Sequence, residues 1–367
     1  MSIARTAKAT VIANVLADLD EVINGNYLPT SYDADNKGRI TRWAAMAIKA
    51  KIYLFEGNWT QVKNITSTIM TEGGFKLFGS YAGLFEIANE YNSEVILDAQ
   101  YRPTSREHQM MYVFLPPTLG GYSQLSPLQE LVDSYIMLDG KTIKETGTSF
   151  DESHPYANRD PRLKATVMYT GNSYTLADGT EVVINCEKGE GKDGYGVGSD
   201  CSATGYYIKK YWDNTYRAYS GLNPILIRYA DILLMNAEAL AELGELDKTA
   251  WDATIKPIRD RAGFTLASAL EFPEGASKDK LIEIVRNERR SELALEGHRH
   301  KDIIRWRIAD NVLNGWCHGL KTNDVVGTDD GYVRVENRTF NANRHYLWPI
   351  PQAERDLNGN LEQNPNW

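Results

Sequence analysis

Apolar residues recur at helical spacing near both ends of the chain and lose that period in between. In residues 5–23, Val11, Val15, Leu16, Leu19, Val22 and Ile23 form one stripe at 100° per residue, which predicts a first helix ended by Gly25 and Pro29. Residues 40–56 predict a second helix, Gly57 and Asn58 a turn, and residues 59–70 a third helix. The same plan returns at 232–244, Glu245 and 246–261. Ala50 corresponds to Ala237, Leu54 to Ala241, Gly57 to Gly244 and Trp59 to Leu246. Small residues let a partner helix approach closely, and a turn glycine takes the positive φ of a helix C-cap. A third pair is predicted at 278–296 and 300–313, divided at Gly297.

Hairpins of this kind predict an all-α fold, a tetratricopeptide-like α-α superhelix. The repeats occupy 1–72 and 223–313, and a long loop-rich insertion with minor β separates them at 73–222. Such a long insertion in a compact protein is usually functional. It holds 15 of the 21 tyrosines, and glycine, proline and serine rise there. Strand-like runs occur within it at 95–99, 112–115, 165–169, 182–185 and 206–211. After Leu313 the period fades, which predicts a coil tail over 314–367, pinned by Trp348 and Pro349. Residues 1–367 read as one domain.

Residues 281–306 break the usual polarity of a surface helix. Glu288, Glu292 and Glu296 share the arc of Leu281, Ile284, Val285 and Leu295. Buried carboxylates demand partners. Arg228, Arg259, Arg289 and Arg299 are the candidates for a helix–helix ion-pair network; the alternative is a catalytic acid/base pair.

The string NERRSELALEGHRHKDIIRW in this stretch resembles the signature helix of the SusD/RagB family. Residues 227–244 (IRYADILLMNAEALAELG), 127–140 (PLQELVDSYIMLDG), 158–163 (NRDPRL) and 346–367 (YLWPIPQAERDLNGNLEQNPNW) are similar to the same family, in the same order. The resemblance implies a glycan-binding lipoprotein on the outer membrane of Bacteroidetes. It implies a partner too, a SusC-like TonB-dependent transporter that receives oligosaccharide or polysaccharide. The chain matches the later part of a member, so the lipid anchor and an N-terminal portion lie outside it.

Composition narrows the function. Hydrophobic residues at 42% and charged residues at 24% are ordinary for a globular chain, while a net charge of −9 argues against nucleic acid. No run of 18 apolar residues occurs, and the first residues lack the apolar core of a signal peptide. Cys186 and Cys201 flank a glycine-rich loop and could close it with a disulfide or stay free; Cys317 stands apart. The segment 33–38 has the form D-x-D-N-x-G, but Lys37 takes a ligand position of a calcium loop and no glutamate follows. His298 and His300 are two residues apart, a spacing that does not converge on a metal. With no phosphate loop, dinucleotide fingerprint, nucleophile elbow or zinc motif, neither a cofactor nor catalysis is expected.

The chemistry expected is sugar recognition. Aromatic rings meet the C–H faces of pyranoses, and Arg, Asn or Gln meet the hydroxyls. Tyr91, Tyr101, Tyr112 and Tyr122, interleaved with Asn92, Arg102, Arg106, His108 and Gln109, form the first candidate cluster. Trp212 and Arg217, with Asp213 and Asn214 in the stretch 206–219, form the second. A helical-repeat scaffold that binds protein rather than glycan is the alternative, and a glycan-cleaving enzyme a third.

Overall fold

In the computed structural model, residues 3–215 and 218–367 are described. The first helix is Lys8–Asn24. Thr41 opens the next, Arg42–Glu56, by accepting the Ala44 N–H at 3.2 Å, and Gly57 ends it at φ 71°. Asn58 then caps Trp59–Glu72 through the Gln61 N–H at 3.3 Å. The two-residue turn therefore stops one helix and starts its neighbour. The plan recurs where Gly244, at φ 73°, ends Tyr229–Leu243 and Asp247 caps Lys248–Ala262.

Tyr229–Leu243 is the central helix, buried at most of its positions. It packs against Trp59–Glu72, Lys248–Ala262 and Lys278–Glu292. Where it meets Trp59–Glu72, the Asn236 side chain donates to Thr66 Oγ1 at 2.9 Å, so even the polar residues at this contact are satisfied. Packing of this kind, more than intrinsic propensity, holds the helices.

The third predicted pair is shorter than its sequence pattern. Its first helix ends at Glu292, and its second breaks into Arg299–Arg305 and Ala309–Val312. Leu295 and Gly297 turn the chain there, at φ 64° and 77°. That turn folds Glu296 back toward the helix cluster.

The insertion has its own core, built on Phe85, Met111, Phe114, Tyr135, Tyr174 and Tyr207. Its strands are short antiparallel pairs: Val167–Met168 with Tyr207–Ile208, and Ser173–Thr175 with Glu181–Val183. Residues 112–115 read as a strand, but the first three belong to the helix Met110–Phe114 and Leu115 caps it. Met111 and Phe114 are both buried, a spacing of three that a helix satisfies and a strand does not.

The β structure also extends beyond the insertion. Val95–Asp98 pairs with Ile225–Arg228, on the threshold of the central helix. The tail is not coil throughout. Gly315–Lys321 pairs with Tyr332–Arg338, which pairs in turn with Thr328–Asp329. Only Cys317, Gly319, Leu320 and Val333 are buried in this sheet, too few to impose a visible alternation. It docks on the insertion through the Leu320 N–H, which donates to the Thr204 carbonyl at 2.7 Å. A Cβ on Gly319 would stand 2.6 Å from that same carbonyl oxygen. Residues 346–367 are coil apart from the short helix Gln352–Leu357, and Trp348, expected to pin them, is 78% exposed. Within the tail, the Asn364 side chain donates to the Trp348 carbonyl at 2.6 Å and the Trp367 indole N–H to the Leu347 carbonyl at 2.9 Å. Arg5 donates to Asn364 Oδ1 at 2.9 Å, which ties the tail to the start of the chain.

The three glutamates do point inward, into a shared charge cluster. Glu288 pairs with Arg162 and Arg259, each at 2.7 Å. Glu292 receives Arg162 at 2.8 Å, Arg228 at 2.6 Å and Arg261. Glu296 receives Arg228 and Lys210, both at 2.7 Å. Glu94 completes the set through Arg228 at 2.7 Å and Arg261 at 3.0 Å. Arg259 and Arg228 were expected partners. Arg289 serves a second cluster instead, pairing with Asp231 at 2.6 Å and Asp302 at 2.9 Å. Burial works against the charge of Glu288 and Glu292, but their arginines outweigh it and hold both carboxyls below the usual range. Both carboxyls are thereby held in the ionised form at neutral pH.

Candidate functional site

The two sequence clusters meet in part. The Tyr122 N–H donates to the Tyr112 carbonyl at 2.8 Å, which sets their side chains together. Their rings lie 5.7 Å apart at 32°, and Tyr219 stands edge-on to Tyr112 at 6.1 Å and 89°. Tyr219 comes from the second cluster. It is brought in by an antiparallel bridge between His108 and Ser220, with both backbone bonds at 3.0 Å. Tyr122 is 49% exposed and Tyr219 48%, so these rings face solvent instead of closing a core.

The remaining members of the first cluster adjoin this array. Tyr101 lies edge-on to His108 at 4.8 Å, with the Arg106 guanidinium 5.3 Å over its ring. The Met110 N–H donates to His108 Nδ1 at 3.4 Å, so Nε2 carries the proton that reaches the Leu222 carbonyl at 2.8 Å. Arg102 is exposed and bridged through its backbone to Arg106. Tyr91, 41% exposed, donates to Gln100 at 2.6 Å and accepts from Asn223 at 3.3 Å. Asn223 also accepts the Tyr101 N–H at 2.6 Å, which ties Tyr91 to Tyr101. Burial raises the nearby Asp98 and Glu90 carboxyls.

Trp212 does not join the array. Its indole N–H donates to the Thr175 carbonyl at 2.9 Å and its ring packs on Tyr174 at 5.0 Å, so it closes the insertion core. Arg217 lies outside the described residues.

Sequence reasoning missed a larger concavity, a cleft of about 910 Å³ between the insertion and the tail sheet. Tyr156 and Tyr169 stack in it at 4.0 Å and 17°, beside Tyr206 and Tyr332. Ion pairs Lys188–Asp324 and Lys321–Glu152 link its loops. Arg159, on its wall, is committed to the carbonyls of Val132, Tyr135 and Pro155. The residues lining this cleft come from seven separate stretches, and no local pattern marks them.

Cys186, Cys201 and Cys317 are free thiols, and the Cys201 thiol donates to the Lys192 carbonyl at 3.3 Å. Burial raises the Cys186 thiol to about 12, far from a reactive thiolate. Among the described residues no cluster of His, Cys, Asp and Glu could hold a metal, and no helix is long and apolar enough to cross a membrane.

Comparison with known proteins matches the SusD family over residues 84–367. SusD-like protein P25 of Formosa agariphila is 28% identical over 333 residues, covering 84% of this chain and 57% of P25. A SusD-like protein of Bacteroides ovatus is 24% identical over 82% of this chain, again with little more than half of the relative covered, at 53%. Among solved structures, a SusD-like carbohydrate-binding protein of Bacteroides fragilis superposes with a TM-score of 0.86 at 29% identity, over 98% of this chain and 72% of that one. A laminarin-binding SusD-like protein shares the fold, with a TM-score of 0.66 at 24% identity over 99% of this chain and 70% of that one. The helix-rich scaffold, the insertion and the signature helix thus have one explanation: the chain belongs to the SusD family.

Proposed function

We propose that this chain is a non-catalytic glycan-binding protein. On this reading it acts at the outer-membrane surface and passes oligosaccharide or polysaccharide to a SusC-like TonB-dependent transporter. Its repeat helices, arranged as a tetratricopeptide-like superhelix, serve as scaffold, and the insertion carries the ligand. A lipid anchor outside these residues would hold it to the membrane.

The observation that carries the reading is the exposed array of Tyr112, Tyr122 and Tyr219, joined through His108 to Tyr101 and Arg106. It offers flat rings to pyranose faces and charged or amide groups to hydroxyls. A few stacked rings on an open surface give about 4–8 kcal/mol, or micromolar to millimolar affinity.

The test is a glycan array followed by calorimetry on the best ligand. Tyr122→Ala and Tyr219→Ala should each weaken binding at least about tenfold, which is about 1.4 kcal/mol, without lowering the melting temperature. Unchanged binding in both, with loss in Tyr169→Ala, would move the site to the cleft. Release of reducing ends from a polysaccharide would end the non-catalytic reading.

A further inference from the structure

Nearly every buried arginine in this protein meets a carboxylate. Arg290 and Arg299, neighbours across the end of the signature helix, do not. Both are half-buried. Arg290 donates to the carbonyl oxygen of Glu130, a neutral acceptor. Arg299 has no hydrogen bond or ion pair among the described residues; the charge of Asp302 acts on it from a distance, and the Trp306 ring lies 5.9 Å away. Three of the nearby acids are engaged elsewhere: Glu130 with His318, Asp302 with Arg289 and Arg305, Glu242 with Arg286. Asp133 acts on Arg290 only as a charge, without an ion pair among the described residues. Burial and the charge of Arg299 together pull Arg290 down to about 10, so the pair is held at an electrostatic cost.

The two guanidiniums border two adjoining cavities of about 510 Å³ each. The first has an aliphatic side, with Leu128, Leu131, Leu293, Leu295, Val312 and Leu313, and a polar side that includes Glu130 and Asp302. Leu295 is 39% exposed and held at φ 64°, a conformation that is strained for a leucine. Sugars fit such walls poorly, since one aromatic ring, Trp316, is present to stack on them. A carboxylate matches the guanidinium pair, and an apolar body matches the walls.

We infer that this cavity binds an apolar carboxylate, with its anionic head across Arg290 and Arg299 and its hydrocarbon part among the leucines. The head could be the end of a peptide or of an acyl chain, two sources of the same chemistry. The site is separate from the tyrosine array and stands whether or not that array binds glycan.

Calorimetry on the intact chain separates the outcomes. The probes are N-acetyl-leucyl-phenylalanine, hexanoate, the corresponding amides, and glucuronate. At least one of the two apolar acids should bind about tenfold or more tightly than its amide, and the stronger of the two identifies the source. Arg290→Gln and Arg299→Gln should each remove that preference, while Tyr122→Ala leaves it intact. Arg299→Gln should melt no lower than the parent, because it relieves repulsion; this keeps the test valid if Arg290→Gln fails to fold. Equal binding of acid and amide, no binding of either acid, or glucuronate binding as tightly as the apolar acids would overturn the inference.

Discussion

Glu296→Gln isolates charge from packing in the buried cluster, because the two side chains are nearly the same shape. Glu296 accepts two bonds from Arg228 and one from Lys210, each at 2.7 Å. Burial opposes its ionisation, yet Arg228 and Lys210 prevail and bring the carboxyl from 4.5 down to about 2. At about 1.4 kcal/mol per pH unit, that difference stabilises the fold by about 3 kcal/mol at neutral pH. Removing one partner of a buried ion pair typically costs about 3–5 kcal/mol, which agrees. Lys210 pushes the same way. Burial already lowers it to about 8, and it would lose its nearest counter-charge. For a chain of 367 residues, with an unfolding entropy of about 2.1 cal/mol/K per residue, 3 kcal/mol corresponds to a fall of about 4 °C in Tm.

The pH dependence makes the test specific. A carboxyl whose folded pKa is depressed contributes fully above its unfolded value and loses that contribution as pH falls through the folded one. The gap between parent and variant should therefore be full at pH 7, narrow below about 4.5 and close toward about 2. Urea denaturation of both proteins across that range measures it. No gap at pH 7 would show that the ion pairs add nothing net. A gap that persists in acid would assign the cost to packing.

Glu292→Ala should cost more than Glu296→Gln in the same assay, since it strips three arginines of their acceptor and also leaves a cavity. Gly121→Ala should destabilise the insertion and weaken glycan binding together, because its Cβ would stand 2.1 Å from the Leu115 carbonyl oxygen and displace the adjacent Tyr122. Gly120→Ala, in open space at φ 82°, should cost only about 1 kcal/mol of backbone strain; calorimetry and thermal melts of the two variants distinguish them. Trp212→Ala should lower the melting temperature through the lost Tyr174 contact and Thr175 bond, while glycan affinity stays within about twofold of the parent.

What sequence could convey was whatever repeats locally. Gly57 and Gly244 marked their turns because each ends a helix within its own hairpin. The inward set of Glu288, Glu292 and Glu296 was visible because the three lie within a few turns of one another. Their partners were not so evident. Arg162 lies in a different segment, and nothing local says that it reaches Glu288 and Glu292. Arg289 looked equally suitable, yet its position on the helix turns it to Asp231. The tyrosine array shows the same limit. Tyr219 and Trp212 sit in one aromatic stretch, and only the long-range bridge of His108 to Ser220 sends the first to the array. The tail sheet escaped notice because its few buried residues include a glycine and a cysteine, not a run of alternating aliphatics.

The charge cluster also has a bearing on how such a protein can change. The insertion contributes Glu94, Arg162 and Lys210 to it, and these fasten the insertion to the helices. Tyr101, Tyr112 and Tyr122 fall between the first two of these fastenings, and residues 101–122 supply no charge to the cluster, whose other acid from the insertion, Asp160, lies beside Arg162. If those rings bind glycan as proposed, substitutions at exposed positions such as Tyr122 would redraw the ligand surface while every fastening stays in place. On the proposed reading, a change of preferred sugar at the exposed rings would leave these ion pairs untouched, so a lineage could exchange its diet without redesigning its scaffold.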